Sequence, residues 1–313
     1  MNESVDEART TVLKALPPLM PQFLRKRRAG LPAVKEIADD FGVERPHLFA
    51  MLLLRLVTGS YGDEPVSPAQ VRAWDPYATK DVYSESFDAL VGKGLVLEDA
   101  QGNLGLSTAG RQAVDRLHKA GREFVAAHRP LPPSDLETLS DLLQSAVEAT
   151  LADPVLAPRP GSHLAGARSI ATFGPDAPMM VRIEQSIYEL WHARDDAHMK
   201  AWRDAGLEGP AMPVFTLVWS GEAGTLPGLT GLLSSQQSPA DIESSLAYLV
   251  ANDYLEVDGE EVRVTPAGAL VRDDIERETD RVYFAPWPLS LHEAEWLRDH
   301  LRQLINNLPT PPL

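Results

Sequence analysis

The sequence of this chain contains an internal repeat. Residues 79–91 match residues 238–250 at an offset of 159 positions, and both copies carry apolar residues at helical spacing. The copies begin with Thr79 and Ser238, whose hydroxyl groups suit the first position of a helix because they accept a bond from a free backbone N–H. A repeat dictates the same order of elements in both copies, so it constrains the fold more tightly than composition does.

The match continues beyond this helix. Two short apolar runs around a polar tip follow in each copy, and the pair Asp258-Gly259 is typical of a β-hairpin turn. The tip is one residue longer in the first copy, so the offset becomes 158, at which residues 107–110 fall on 265–268. Both copies then end in a further helix. The repeat predicts two domains, residues 1–151 and 181–313, joined by a linker at residues 152–180 that is rich in Pro, Gly and Ala.

This order of elements resembles the winged helix-turn-helix regulators of the MarR type. The residues that carry the resemblance are 90–95 before the hairpin, 106–110 after it and 131–139 at the last helix. The second copy is also similar to the SalK-type helix-turn-helix proteins of actinobacteria, at residues 193–198 and 278–287. The resemblance implies a mainly α fold with small β-wings, built from two tandem winged helix-turn-helix domains.

MarR-type proteins are generally homodimers whose first and last helices intertwine. The resemblance therefore implies a single-chain pseudo-dimer, in which helices over residues 13–29 and 135–151 pack on helices over 180–205 and 293–304. One apolar seam at helical spacing fits this packing, and it consists of Leu136, Leu139, Leu142, Leu143 and Val147.

The resemblance also implies a transcriptional regulator that binds double-stranded DNA. The net charge is −16, but residues 1–151 carry 17 Lys and Arg against 21 Asp and Glu, whereas residues 152–313 carry 12 against 24. Phosphate contact requires local cations, so any DNA contact belongs to the first copy. Its candidate residues lie at the recognition helix, just before it and at the wing tip: Arg72, Thr79, Lys80, Tyr83, Ser84, Gln101 and Asn103.

A second interpretation stays open beside DNA binding. The second copy places Asp241, Glu243 and Asp253 around its recognition helix, and its wing tip is acidic. A degenerate, acidic winged-helix protein would instead act through a protein partner on its acidic surface, or by binding a small molecule without DNA.

Aromatic residues concentrate in the second copy and suggest a pocket. MarR-type regulators often bind an aromatic or lipophilic effector, and the candidate lining here is Tyr188, Trp191, Trp202, Phe215, Trp219 and Trp287. The alternative is ordinary core packing, since aromatic side chains bury large areas.

Two charged clusters each have more than one interpretation. His192, Asp195, Asp196 and His198 could bind a divalent metal with His163 or His300, but their two pairs point apart, which favours a polar network between helices. The basic residues 25–28 could contact phosphate or an acidic partner, form a solvated helix end, or neutralise the acidic second copy within the chain.

No sequence feature indicates catalysis. The chain lacks the motifs of nucleophilic hydrolases, phosphate-binding loops and zinc peptidases, so we expect no enzyme, no cofactor and no metal. It has no cysteine, no apolar run near the roughly 18 to 20 residues that span a bilayer, and no secretory signal. These features predict a cytoplasmic protein.

Overall fold

The computed structural model describes residues 3–27, 33–79, 83–171, 174 and 176–310. Within these residues the chain is mainly helical, with fifteen helices and two antiparallel hairpins, which confirms the predicted fold class at that level. The first half contains α1 (Glu3–Leu13), α2 (Leu19–Arg27), α3 (Ala33–Asp40), α4 (Arg45–Ser60), α5 (Pro68–Trp74), α6 (Ser84–Gly92), β1 (Val96–Glu98), β2 (Leu104–Leu106), α7 (Thr108–Ala127) and α8 (Pro133–Ala152).

The second half also has helices before and after a single hairpin. After the short α9 (His163–Ser169) come α10 (Met179–Asp204), α11 (Ala211–Trp219), α12 (Leu226–Leu233), α13 (Pro239–Ala251), β3 (Leu255–Asp258), β4 (Glu261–Val264), α14 (Pro266–Phe284) and α15 (Leu291–Asn307). None of the described helices has the length and apolar character needed to cross a membrane.

Each half contains a helix-turn-helix followed by a hairpin, and the details agree between the halves. A residue just before the second helix of each motif bridges to the second hairpin strand: Val66, two residues before α5, pairs with Leu104, and Thr225, directly before α12, pairs with Glu261. The long helix after each hairpin begins with a hydroxyl cap, Ser107 or Thr265, which accepts a bond from the backbone N–H three residues on. The structure thus has two helix-turn-helix units with wing-like hairpins.

The buried apolar residues form three clusters. Two of them lie inside the helix-turn-helix units, one per half. The third is central, and α1, α2, α8, α10 and α15 all contribute to it, so the terminal helices of both halves share one core. Four residues of the predicted seam, Leu136, Leu139, Leu143 and Val147, are buried there, whereas Leu142 is half-buried.

Three expectations about element boundaries need correction. The helix predicted over residues 13–29 is interrupted, because Pro17 and Pro18 follow the end of α1 and α2 begins only at Leu19. The recognition helix of the first half begins at Ser84, and its N-cap is Tyr83 rather than Thr79. The linker contains α9, whose buried Leu164 and Ala167 pack this helix between α4 and α10.

Candidate functional site

The residues proposed to read DNA lie on or beside the first helix-turn-helix. Arg72 is exposed on α5, and Ser84 is half-buried at the start of α6. Tyr83 is half-buried and donates from its hydroxyl group to Asp75 at 3.1 Å; burial first, and the Asp75 charge second, raise the pKa of Tyr83. Lys80 lies outside the described residues.

The turn of the first wing is stabilised by the side chain of Asp99, which lies within that turn. Asp99 accepts bonds from the backbone N–H groups of Gln101 and Asn103 at 2.9 and 2.8 Å, and from the Asn103 amide. These bonds, those from Asn103 above all, hold the pKa of Asp99 below its usual range. The wing tip therefore carries a fixed negative charge beside Gln101 and Asn103, which is unfavourable next to phosphate.

Acidic side chains dominate the exposed surfaces of both recognition helices and wings. Glu85 and Asp88 are exposed on α6, and Glu243 is exposed on α13. The second wing exposes Asp258, Glu260 and Glu261, and its Arg263 is already paired with Glu261. Among the described residues from α5 to the end of the first wing, Arg72 on α5 and Lys93 at the end of α6 are the exposed cations.

The two helix-turn-helix units also touch each other where they would read bases. The segment leading into α6 contacts the start of α13: Thr79 donates from its hydroxyl group to Asp241 at 2.6 Å and from its N–H to the Gln236 carbonyl at 3.0 Å. Fully buried Gln237 donates from its amide to the Tyr77 carbonyl at 2.9 Å and to the Pro210 carbonyl at 2.8 Å. We name this contact, residues 77–79 against 236–241, the clasp.

Within the described residues, the six predicted aromatic residues are divided among different parts of the structure. Trp191 and Trp287 belong to the central core, Trp202 and Phe215 to the second helix-turn-helix core, and Trp219 packs over Arg272 and donates to Asp273. Only Tyr188 of the six contributes to a cavity described below. The clustering in sequence reflects the packing of two separate cores, each of which needs large apolar side chains.

A cavity of about 180 Å³ lies elsewhere, between α2, α4, α7 and α10. It sits where the first helix-turn-helix unit meets helices of the central core. Its apolar lining includes Leu24, Phe49, Leu52, Leu117, Ile170 and the Tyr188 ring. Four ionisable side chains also face it: Arg27, His118, Arg122 and Glu184.

Two of the ionisable groups of this cavity, His118 and Glu184, are buried, and its two arginines are half-buried. Arg27 forms an ion pair with Glu184, which is 7% exposed. Burial raises the pKa of Glu184, and Arg27 and Arg122 oppose that rise. Burial, followed by the charges of Arg27 and Arg122, lowers the pKa of His118 to about 3, so this imidazole is neutral near pH 7. Its Nε2 atom is buried and has no hydrogen-bond partner among the described residues.

The residues of this site come from four helices, so no local sequence pattern brings them together. Only the basic tract at residues 25–28 stands out in the sequence, and the contacts of its described residues favour a role within the chain. Arg27 pairs with Glu184 of the second half, and Lys26 donates to the Leu308 carbonyl at 3.2 Å and to the Thr310 hydroxyl at 2.9 Å. Arg27 thus neutralises a carboxylate of the second half, and Lys26 binds the segment after α15.

The histidine and aspartate group on α10 forms the polar network between helices. Asp196 accepts bonds from the His163 and Leu164 backbone N–H groups at 2.8 and 3.0 Å, and so holds the start of α9. His198 lies 3.2 Å from the Thr279 hydroxyl on α14. Within the part of the chain that the structure describes, no three histidine or carboxylate side chains converge in an arrangement that could hold a metal.

Comparison with known proteins adds one finding, which concerns the second half. Residues 180–310 match the model of a helix-turn-helix family. No curated protein and no solved structure matches the chain. The matched range covers α10 to α15, so the similarity to helix-turn-helix proteins and the observed helix, hairpin and helix order agree over the same residues.

Proposed function

We propose that this chain is a non-catalytic, MarR-like regulator of the helix-turn-helix type that senses a small apolar molecule in the cavity between α2, α4, α7 and α10. The observation that supports this most is the Nε2 atom of His118, which is buried at the wall of the cavity and has no hydrogen-bond partner among the described residues. A buried polar atom without a partner costs about 1–3 kcal/mol, and a bound molecule that supplies a partner recovers that free energy.

The position of the cavity suits a sensor. Its walls come from α4 and α7 of the first helix-turn-helix unit and from α2 and α10 of the central core. A molecule that fills the cavity contacts both the first helix-turn-helix unit and the central core. Its binding free energy can therefore favour one arrangement of that unit relative to the central core. In this proposal the two halves form a self-contained pseudo-dimer.

A cavity-filling substitution tests this function. Leu52 is a half-buried residue of α4 that lines the cavity, and Leu52→Trp should fill it and abolish the thermal stabilisation that small aromatic molecules give the wild-type chain. Leu232→Trp is the matched control, because Leu232 is 56% exposed on α12, and it should leave that stabilisation unchanged. Equal stabilisation of both variants would place the ligand elsewhere and refute the proposal.

DNA binding is the second candidate function, and the match to a helix-turn-helix family favours it. The acidic surfaces of α6, α13 and both wings weigh against it, as does the clasp. Two recognition helices that read adjacent half-sites lie about 34 Å apart, whereas here the lead-in to α6 is hydrogen-bonded to the start of α13.

A salt titration with random duplex DNA separates the two candidates. Phosphate contact predicts an affinity whose logarithm falls linearly with the logarithm of the salt concentration, and its loss in Lys80→Glu and Arg72→Glu. If no binding is measurable even near ~50 mM salt, direct DNA binding by the isolated chain is excluded.

A further inference from the structure

The short helix α9 joins the first helix-turn-helix unit to the central core. It packs against α4 on one side and α10 on the other. Its Leu164 belongs to the central cluster, whereas Ile170 at its end belongs to the cluster of the first unit. The fit on α4 is close, because a Cβ atom at Gly166 would lie 2.7 Å from the Leu56 carbonyl oxygen. The way in which α9 is held therefore affects how the first unit sits on the central core.

The two ends of α9 are held by opposite charges that come from different parts of the structure. At its C-terminal end, Arg55 of α4 donates to the Ser169 carbonyl at 2.9 Å, and Arg122 of α7 donates to the Ile170 carbonyl at 2.6 Å. At its N-terminal end, the Asp196 carboxylate of α10 accepts bonds from two backbone N–H groups. These charges match the partial charges of the helix ends. The first unit thus holds the end of α9, and the central core holds its start.

A titratable ring lies at the start of α9 between two acceptors. The side chain of His163 is buried, and its Nδ1 atom lies 3.2 Å from the Asp196 carboxylate. The Trp74 ring of α5 packs on the imidazole with 4.3 Å between centroids, and hydrogen bonding to the Trp74 backbone also favours the charged imidazole. A neutral imidazole has one N–H and can donate to only one of these acceptors, whereas the imidazolium can donate to both. The geometry therefore favours the protonated ring.

The charges that act on this ring are carboxylates of α10. Burial lowers the pKa of His163, but the bond to Asp196 and the charges of Asp196 and Asp195 outweigh burial, so the pKa is raised above its ordinary value. The titratable ring of His192, also on α10, lies 6.1 Å away between centroids. Other charged groups of α4, α5 and α9 contact partners elsewhere: Arg55 pairs with Asp63, Asp75 accepts from Tyr83, and Arg168 pairs with Glu189.

We infer that α9 is a proton-sensitive strap: while the His163 ring is protonated it binds Asp196 of the central core tightly, and this holds the first helix-turn-helix unit against the core. When the ring loses its proton, its single N–H serves one of the two acceptors, and the start of α9 is held less firmly. The strap needs no ligand in the cavity between α2, α4, α7 and α10, so it goes beyond the proposed sensing function.

The direction of the pH dependence follows from the charged ring being favoured in the folded chain. The stabilisation is complete below the pKa of an exposed histidine, about 6.5, and it is lost as the pH rises through the higher pKa of His163. In nuclear magnetic resonance spectra of the full chain, the imidazole signal that disappears in His163→Gln should therefore titrate above about pH 6.5. Titration of that signal below this value would overturn the inference.

Urea unfolding between about pH 5 and about pH 9 tests the same direction through stability. His163→Gln keeps a side-chain donor but cannot become charged, so its urea midpoint should lie below that of the wild type at acidic pH. This difference should shrink as the pH rises through the titration of His163. The control His292→Gln changes an exposed histidine of α15 and should follow the wild type at every pH. A difference between wild type and His163→Gln that is constant or grows with pH would contradict the strap.

A pair of fluorescent labels tests whether the proton sets the position of the first unit. The chain has no cysteine, so Lys93→Cys at the end of α6 and Arg302→Cys on α15 provide two exposed attachment sites in the full chain. The distribution of energy-transfer efficiencies should be narrow at acidic pH and broaden as His163 loses its proton. With His163→Gln it should be broad throughout, and with His292→Gln it should behave as in the wild type. A distribution that stays the same across the titration of His163 would overturn the inference.

Discussion

At the scale of single residues, two glycines fix how each hairpin meets the helix that follows it. A Cβ atom at Gly110 would lie 2.1 Å from the Leu95 carbonyl oxygen, and one at Gly268 would lie 2.0 Å from the Tyr254 carbonyl oxygen. Both contacts are with backbone, which cannot rotate away as a side chain can. Glycine is therefore required at both positions because the backbone of another segment lies so close to it. Conformational freedom is not the reason, since neither glycine has a positive φ.

Gly268→Ala should lower the free energy of unfolding by about 1–3 kcal/mol, because the new methyl group forces the β3 end of the hairpin away from α14. Urea unfolding monitored by circular dichroism measures the change. Gly231→Ala on α12 is the control: its Cβ meets nothing within 4 Å, so helix propensity should raise stability by roughly 0.5–1 kcal/mol. Equal effects of the two substitutions would contradict the close-packing argument.

At the scale of elements, local signals located some boundaries and missed others. The Ser238 hydroxyl predicted the start of α13, where Ser238 and Asp241 form a capping box, and Asp258-Gly259 marks the turn between β3 and β4. Thr79 carries an equally good capping side chain, yet it bonds to Asp241 in the other half. Because the partner of Thr79 is 162 residues away in the sequence, the residues near Thr79 do not indicate it. Only the tertiary structure could show the clasp.

The candidate cavity was unpredictable for a related reason. His118 and Arg122 share one face of α7 by their spacing, but Arg27 and Glu184 reach the same cavity from α2 and α10. Their meeting depends on how the first helix-turn-helix unit packs on the central core. Periodicity identifies buried faces, and it does not identify which of them leave a space between them.

Gln237→Leu tests the clasp as an element of stability. The substitution removes the amide that donates to both the Tyr77 and Pro210 carbonyls in a fully buried position, so the free energy of unfolding should fall by about 2 kcal/mol. Urea denaturation provides the value. In Gln236→Leu the exposed side chain changes while the backbone carbonyl that Thr79 uses remains, and the change should stay within about 0.5 kcal/mol. Similar losses in both variants would mean that Gln237 does not act through these bonds.

At the scale of the whole molecule, the central core makes the two halves dependent on each other. Leu13, Met20 and Leu139 of the first half pack in one cluster with Ile187, Leu297 and Leu301 of the second, and all six are nearly inaccessible. Either half alone would expose this surface to water, at a cost of roughly 25 cal/mol for each Å² of apolar area. The covalent continuity of residues 152–178 therefore contributes little beyond keeping the halves in one chain, whereas α9 within this stretch adds to the contact by packing between α4 and α10.

Cutting that connection should leave the structure assembled. A protease recognition sequence inserted between Pro158 and Arg159 lies on an exposed stretch, after buried Leu156 and before α9. After cleavage the two fragments should still elute together from a sizing column at the uncut position, because the shared core and the clasp remain intact. Their urea midpoint should then rise with protein concentration, as it does for a dimer but not for the intact chain. Fragments that separate under native conditions and keep their helical content would show instead that each half folds independently, and the description of two mutually dependent halves would fail.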